Sequence, residues 1–296
     1  MTISRITNQM TATRTLAGIQ SNQVRLSRLQ QQLSSGKVMS KPSDDPAAAQ
    51  SALSLRSELA RMTQYTRNAD DGKAWLNTVD STLQGMLTGV SRVRDIVVQG
   101  SSTGSMSPTD RQALATEVQG LRASLIGDAN TTYLGRPVFG GTTSGKVAYD
   151  PTTGAYQGDN NVVTRTVGST QAVRVDLTGP EAFGTPGSDL FALLGTIQND
   201  LTANTGNLSA DLTALDGVAQ KMRTGLSDVG AREARLDSLT ATNDTRSVGM
   251  SASLSAVEDA DFAKTVLDLN VQQASYQAAL QSTAKVIQSS LLDFLR

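Results

Sequence analysis

Apolar residues near the N-terminus recur at helical spacing. Leu16, Ile19, Leu26, Leu29 and Leu33 step by three, seven, three and four positions, a heptad-like seam. Ile3, Ile6 and Met10 carry the stripe towards the terminus, while Gln20, Gln23 and residues 30–32 (Gln-Gln-Gln) fill much of the other face. Gly36 and then Pro42 predict the end of this helix. A second helix is expected to open at Pro46, behind Asp45 as N-cap, because proline at the first helical position sacrifices no hydrogen bond. Its pattern continues through Trp75, Val79, Leu83, Leu87, Val90, Val93, Ile96 and Val97. Residues 100–104 break it. Ser107-Pro108-Thr109-Asp110 then starts a third helix, running to about residue 130.

Between residues 133 and 187 the texture changes. Glycine and proline punctuate short β-branched or aromatic runs at 136–139, 146–149, 155–157, 162–167 and 172–177, which predicts a small all-β insert. Helical spacing resumes at Leu190, Leu193, Leu194, Ile197 and Leu201, and again from Leu208 to about residue 250. Ser255-Ala256-Val257-Glu258 has the form of a capping box opening a final helix, with residues 258–261 (Glu-Asp-Ala-Asp) in its first turn. That helix places Val266, Leu269, Tyr276, Leu280, Thr283, Ile287 and Phe294 on one stripe, interrupted at Gln273. A second stripe, Val271, Ala274, Ala278, Leu291 and Leu295, widens the apolar face.

The expected fold is mainly α: an elongated rod of long helices, with a terminal antiparallel coiled coil, a helical bundle and a small β-rich insert at the tip. Residues 1–40 with 256–296 would form the coiled coil, 41–132 with 188–255 the bundle, and 133–187 the insert. Charge supports pairing of the two ends. The first 43 residues hold six bases and no acid, whereas residues 254–296 hold five acids against three bases. The sixteen residues between Asp268 and Lys285 carry no charge at all. A solvated helix face normally carries Glu and Lys, so this surface suits burial among other helices. One pair of helices cannot cover it, so neighbouring chains are expected to do so. Candidate subunit-interface residues are Ile3, Ile6, Met10, Leu16, Ile19, Leu26, Leu29 and Leu33, with Val266, Leu269, Val271, Tyr276, Leu280, Ile287, Leu291, Phe294 and Leu295.

Composition narrows the chemistry. The 296 residues include no cysteine and no histidine, which excludes disulfides, Cys/His metal sites, cysteine nucleophiles and Ser-His-Asp triads. Carboxylate or lysine catalysis on a helical scaffold remains open, as does a lipid-binding or signalling rod. A net charge of −1 gives no electrostatic footprint for nucleic acid. No apolar run approaches a membrane span, and the N-terminus lacks the apolar core of a secretory signal. Its Arg- and Ser-rich start also matches the composition of an organelle transit peptide, but no cleavage-like boundary separates it from the body. Residues 140–146 (Gly-Gly-Thr-Thr-Ser-Gly-Lys) fit a phosphate-loop pattern, yet Val147 stands where a magnesium-binding hydroxyl is needed and no helix follows. A turn is the better reading. Asp44-Asp45 and Asp70-Asp71 are neighbours in sequence and do not face one another on a helix. No catalytic residue, metal or cofactor is expected.

Several ordered motifs resemble the bacterial flagellin superfamily. At the N-terminal end they are residues 29–37 (Leu-Gln-Gln-Gln-Leu-Ser-Ser-Gly-Lys), 42–47 (Pro-Ser-Asp-Asp-Pro-Ala), 68–72 (Asn-Ala-Asp-Asp-Gly) and 93–99 (Val-Arg-Asp-Ile-Val-Val-Gln). At the other end they are 258–263 (Glu-Asp-Ala-Asp-Phe-Ala), 276–281 (Tyr-Gln-Ala-Ala-Leu-Gln) and 290–295 (Ser-Leu-Leu-Asp-Phe-Leu). Lys41-Pro42-Ser43-Asp44-Asp45-Pro46, residues 137–142 (Pro-Val-Phe-Gly-Gly-Thr) and residues 156–159 (Tyr-Gln-Gly-Asp) resemble the hook–filament junction branch. The resemblance implies a secreted, non-enzymatic structural subunit that leaves the cell unfolded through the flagellar type III export channel. It implies an export chaperone on the C-terminal region and a homo-oligomeric ring or helical turn at the junction. There the chain would join hook-associated protein 1 to flagellin, with its terminal helices forming an inner tube. Neither nucleic acid nor membrane is an implied partner. A small flagellin, building the filament itself, is the alternative.

Overall fold

The computed structural model describes residues 8–101, 106–203 and 207–294, and the side chains of residues 10, 13–101, 106–203 and 207–284. Ile3, Ile6 and Leu295 lie outside the described residues, as do the side chains of Ile287, Leu291 and Phe294. The chain forms α1 (Asn8–Ser35), α2 (Pro46–Ser101), α3 (Pro108–Ala129), β1 (Thr132–Tyr133), β2 (Arg136–Pro137), β3 (Thr164–Thr166), β4 (Ala172–Arg174), α4 (Gly179–Phe183), α5 (Leu190–Ala203), α6 (Leu208–Glu258) and α7 (Phe262–Phe294). It is mainly α, with two small two-stranded sheets. The described residues divide into two compact units, one drawn from Met1–Ala60 and Ser247–Arg296, the other Arg61–Arg246.

In the first unit α1 and α7 pack side by side. They run antiparallel, with Lys37 bridged to Asp259 and the Gln272 amide donating to the Asn22 side chain at 3.1 Å. Half-buried positions on α1 are Ile19, Asn22, Leu26, Leu29 and Leu33, stepping by three and four as a heptad requires. On α7 they are Val266, Leu269, Gln272, Tyr276, Ala279 and Thr283. Two details differ from the sequence expectation. Leu16 is 56% exposed and leaves the seam, because the heptad counted back from Ile19 reaches Thr15 instead. Gln272, not Gln273, takes the polar seam position, where Asn22 satisfies its amide. Gly36 ends α1 at φ +67°, in the left-handed region that glycine enters without steric cost.

The expected start of the last helix is corrected. Residues 255–258 form the final turn of α6, and the Ser255 hydroxyl donates to the Asp259 carboxylate instead of capping a new helix. Asp261 is the true cap of α7, accepting from the Lys264 amide at 3.0 Å. Glu258 therefore closes α6, and Asp259 and Asp261 occupy the break between the two helices, not the first turn of one.

In the second unit α2 and α6 run antiparallel, tied by Lys73–Asp237 (2.7 Å) and Arg94–Asp216 (2.9 Å). Between them lie Leu76, Val79, Leu83, Met86, Val90 and Val93 with Leu215, Met222, Val229 and Leu236, all buried. Helix α3 opens at the expected Ser107–Asp110 capping box and packs against α5 through Leu114, Val118, Leu125 and Ile126.

The β region is less regular than its runs suggest. β1 pairs antiparallel with β2, and β3 with β4. The runs at 146–149 and 155–157 contract to one bridge between Tyr149 and Tyr156. Aromatic packing replaces the missing ladder. Phe139, Tyr149, Tyr156, Phe183 and Phe191 pack edge to face or tilted, with centroids 4.7–5.9 Å apart. Helix α4 stands where a turn was expected, because Glu181 reaches back to the Thr178 amide (3.1 Å). The Gly-rich stretch at 140–146 is a turn held by Asp159, which accepts from the Thr142 amide and hydroxyl at 2.8 and 2.7 Å.

One buried acid makes this unit sensitive to pH. Asp211, in the first turn of α6, is buried with Oδ2 unpartnered, and desolvation together with neighbouring Asp200 pushes its carboxyl up to about 6. A folded-state value above the unfolded one favours folding at low pH. That contribution is complete below about 4 and is lost as pH rises through about 6. Asp211→Asn is therefore expected to raise the melting temperature at pH 7.5 and to flatten its dependence between pH 5 and 7.5. Thermal denaturation at both values checks this, and an unchanged slope would refute it.

Candidate assembly site

The two ends of the chain meet in a clasp. The Val38 amide donates to the Glu258 carbonyl (2.7 Å), and the Ala260 amide to the Gly36 carbonyl (2.9 Å). Lys37 Nζ lies 2.6 Å from Asp259 Oδ1 and 3.3 Å from Glu258 Oε2, and Arg56 Nη2 lies 2.8 Å from the same Glu258 oxygen. Glu258 is the buried member, and two cations face it. The hydrogen bond with Lys37 holds the Asp259 carboxyl below its usual range, and the same contact raises Lys37. The loop after α1 is fixed from within. Asp44 accepts from the Lys41 amide (3.0 Å), the Ser40 amide and the Ser40 hydroxyl, bonds that lower its carboxyl. Asp45 accepts from the amides of Ala47 and Ala48, the expected cap of α2. A hollow of about 230 Å³ beside the clasp is floored by Met39, Pro42, Ala49, Ala52 and Leu53.

Both cations of the clasp are about half exposed, so solvent screening discounts these pairs. Glu258→Ala is expected to cost about 1–2 kcal/mol in the first unit. The predicted signature is faster tryptic cleavage after Lys37, with Glu258→Gln intermediate. Cleavage at the unmodified rate in the alanine variant would contradict the role given to Glu258.

The second part of the site is apolar surface that one chain leaves open. Leu267, Val271, Ala274 and Ala278 step by four, three and four along α7, and all are exposed, Val271 at 59%. On α1, Met10, Leu16 and Val24 are exposed likewise, and Leu280 and Phe262 add to α7. Of the interface candidates with described side chains, Ile19, Leu26, Leu29, Leu33, Val266, Leu269 and Tyr276 lie half-buried. Met10, Leu16, Val271 and Leu280 remain open to solvent. Sequence reading missed Leu267, although it lies four residues before Val271 in the same stripe, and Val24 and Phe262. It also missed the clasp, since nothing local announces a contact across 222 residues. Among the described residues no three acids gather as a metal site, and no helix is long and apolar enough to cross a membrane.

Comparison with known proteins fits this arrangement. Residues 6–144 match the bacterial flagellin N-terminal helical region, and residues 212–295 the bacterial flagellin C-terminal helical region. Flagellar hook-associated protein 3 of Salmonella typhimurium is 27% identical over an alignment 317 positions long, covering 99% of this chain and 100% of that protein. Flagellin of Bacillus subtilis is 28% identical, over 62% of this chain and 60% of its own length. A flagellar hook-associated protein of Vibrio parahaemolyticus has the same fold, with a TM-score of 0.67 at 21% identity over 73% of this chain and 100% of that one. Helices at both ends, clasped through the motifs that carried the resemblance, and matches at both ends lead to one assignment: the chain belongs to the bacterial flagellin superfamily.

Proposed function

We propose that the protein is a structural, non-enzymatic subunit of the extracellular bacterial flagellum, placed at the hook–filament junction, where it joins hook-associated protein 1 to the flagellin filament. The observation that carries this reading is the span of similarity. Hook-associated protein 3 aligns from end to end, whereas the flagellin aligns over about three fifths of each chain. The open stripe on α7 supports assembly physically, since apolar surface of this kind is what neighbouring copies cover. In this reading residues 1–40 with 256–296 line the inner tube, 41–132 with 188–255 form the surrounding shell, and 133–187 face solvent. Before export the C-terminal region is held by a dedicated chaperone.

Deletion followed by electron microscopy tests the role. The expected result is hooks without filaments and flagellin released to the medium; normal filaments would overturn it. The flagellin matches keep a second reading in view, a small flagellin. Seeded polymerisation separates the two, since long filaments built from this protein alone belong only to the second.

A further inference from the structure

Four helices of the second unit converge on one apolar point. Gly100, in the last turn of α2, has no side chain there, and a Cβ on it would come within 2.5 Å of Leu201 and 3.4 Å of Leu208. Leu201 lies in the last turn of α5, Leu208 begins α6, and both are buried. Leu114 of α3 closes the contact. Packing this close is lost if either helix end moves.

A carboxyl is buried beside it. Asp211 follows Leu208 by three positions, on the same face of α6. It is 6% exposed, and its Oδ2 meets no donor. A buried carboxylate normally faces a cation. Here Arg94 of α2 is committed to Asp216, Arg92 to Glu117, and Arg111 of α3 to the Met106 carbonyl. What faces Asp211 is Asp200 of α5, its carboxyl within hydrogen-bonding reach and the one charged group that acts on Asp211. The first turn of a helix favours an anion, but burial beside a second carboxyl outweighs that here. Two carboxyls in one site cannot both ionise cheaply, whereas a single proton between them makes a strong O–H···O bond.

We propose that Asp200 and Asp211 share one proton and that this proton latches α5 to α6. When it leaves, the two carboxylates repel and the helix ends part, freeing Leu201 and Leu208 from Gly100. The opening is local, because helix ends open at lower free energy than the buried α2–α6 core. The latch is closed in mildly acid solution and released near neutral pH. The clasp of the first unit responds in the opposite sense, since ionisation strengthens its Lys37–Asp259 contact. The inference does not depend on the reading of a junction subunit.

Hydrogen exchange of the full chain, read by mass spectrometry and corrected for the intrinsic effect of pH on exchange, tests the latch. Between pH 5 and pH 7.5, residues 198–203 and 208–213 should lose protection about tenfold, the factor that a carboxyl moved from its usual value to about 6 carries over this interval. Residues 79–93 and 222–236, and the clasp, should keep theirs. Asp211→Asn should hold the latch shut at both values, because its amide donates to Asp200 at any pH. Asp200→Asn should do likewise, with the donor on the other side. Protection lost evenly over the whole unit would overturn the latch, as would a pH dependence that survives Asp211→Asn. An unchanged dependence in Asp200→Asn would show that Asp211 titrates alone, which overturns the shared proton.

Discussion

Trp75→Ala is expected to destabilise the second unit by about 4 kcal/mol, the largest single effect anticipated in the chain. The indole is 1% exposed. It meets the Tyr133 ring edge-on at 5.6 Å, and the guanidinium carbons of Arg136 and Arg165 lie 5.6 and 5.9 Å from its centroid. Those contacts hold the hairpins to α2, reinforced by Asp71, which accepts from Arg165 Nε (2.6 Å) and the Tyr133 hydroxyl (3.2 Å). Removing the ring leaves a cavity that the surrounding helices cannot close, and it strips two cations of their aromatic face. Trp75→Phe is expected to cost only about 1 kcal/mol. It keeps most of the packing, and the buried indole Nε1 has no hydrogen-bond partner to lose. Urea denaturation followed by circular dichroism measures both variants. An alanine variant within 1 kcal/mol of the parent would mean that the hairpins are not anchored through this ring.

Val271→Asp should do the opposite: it should spare the monomer and abolish assembly. The side chain is exposed in the single chain, so folding stability should change by no more than about 0.5 kcal/mol. Between copies the same carboxylate would be buried without a partner, since residues 269–284 offer no charge of either sign. The expected phenotype is hooks without filaments, with normal levels of folded protein; Ala274→Asp should behave alike. Wild-type filaments on either variant would show that this stripe is not a subunit interface.

How far the structure was legible depended on whether the signal was local. Heptad spacing announced α1 and α7, Gly36 marked the end of α1, Pro46 the start of α2, and Ser107-Pro108-Thr109-Asp110 the start of α3. Apolar spacing also found most of the seam between α1 and α7. It passed over Asn22 and Gln272, because a polar layer satisfied across the seam does not register as hydrophobic. The box at residues 255–258 misled for a related reason. Its serine and glutamate have the right spacing, but Asp259 engages the first and two cations engage the second. The reverse error hid α4: Gly179-Pro180 suggested a turn, while Thr178 and Glu181 around them form the box that starts a helix. Nothing in the chain could reveal the clasp, because its partners are brought together only by the fold.

That clasp also bears on the order in which the protein folds. Closing a flexible loop of the length between Lys37 and Asp259 costs about 5 kcal/mol, more than two screened ion pairs and two backbone bonds return. The clasp therefore cannot nucleate folding. Its closure cost falls only after residues 61–246 have condensed and the intervening chain is no longer free. The terminal pair is expected to form last and to open first. A chain delivered through a narrow channel would then remain unable to join its neighbours until its final residues had emerged, so that arrival of the complete molecule becomes the trigger for incorporation.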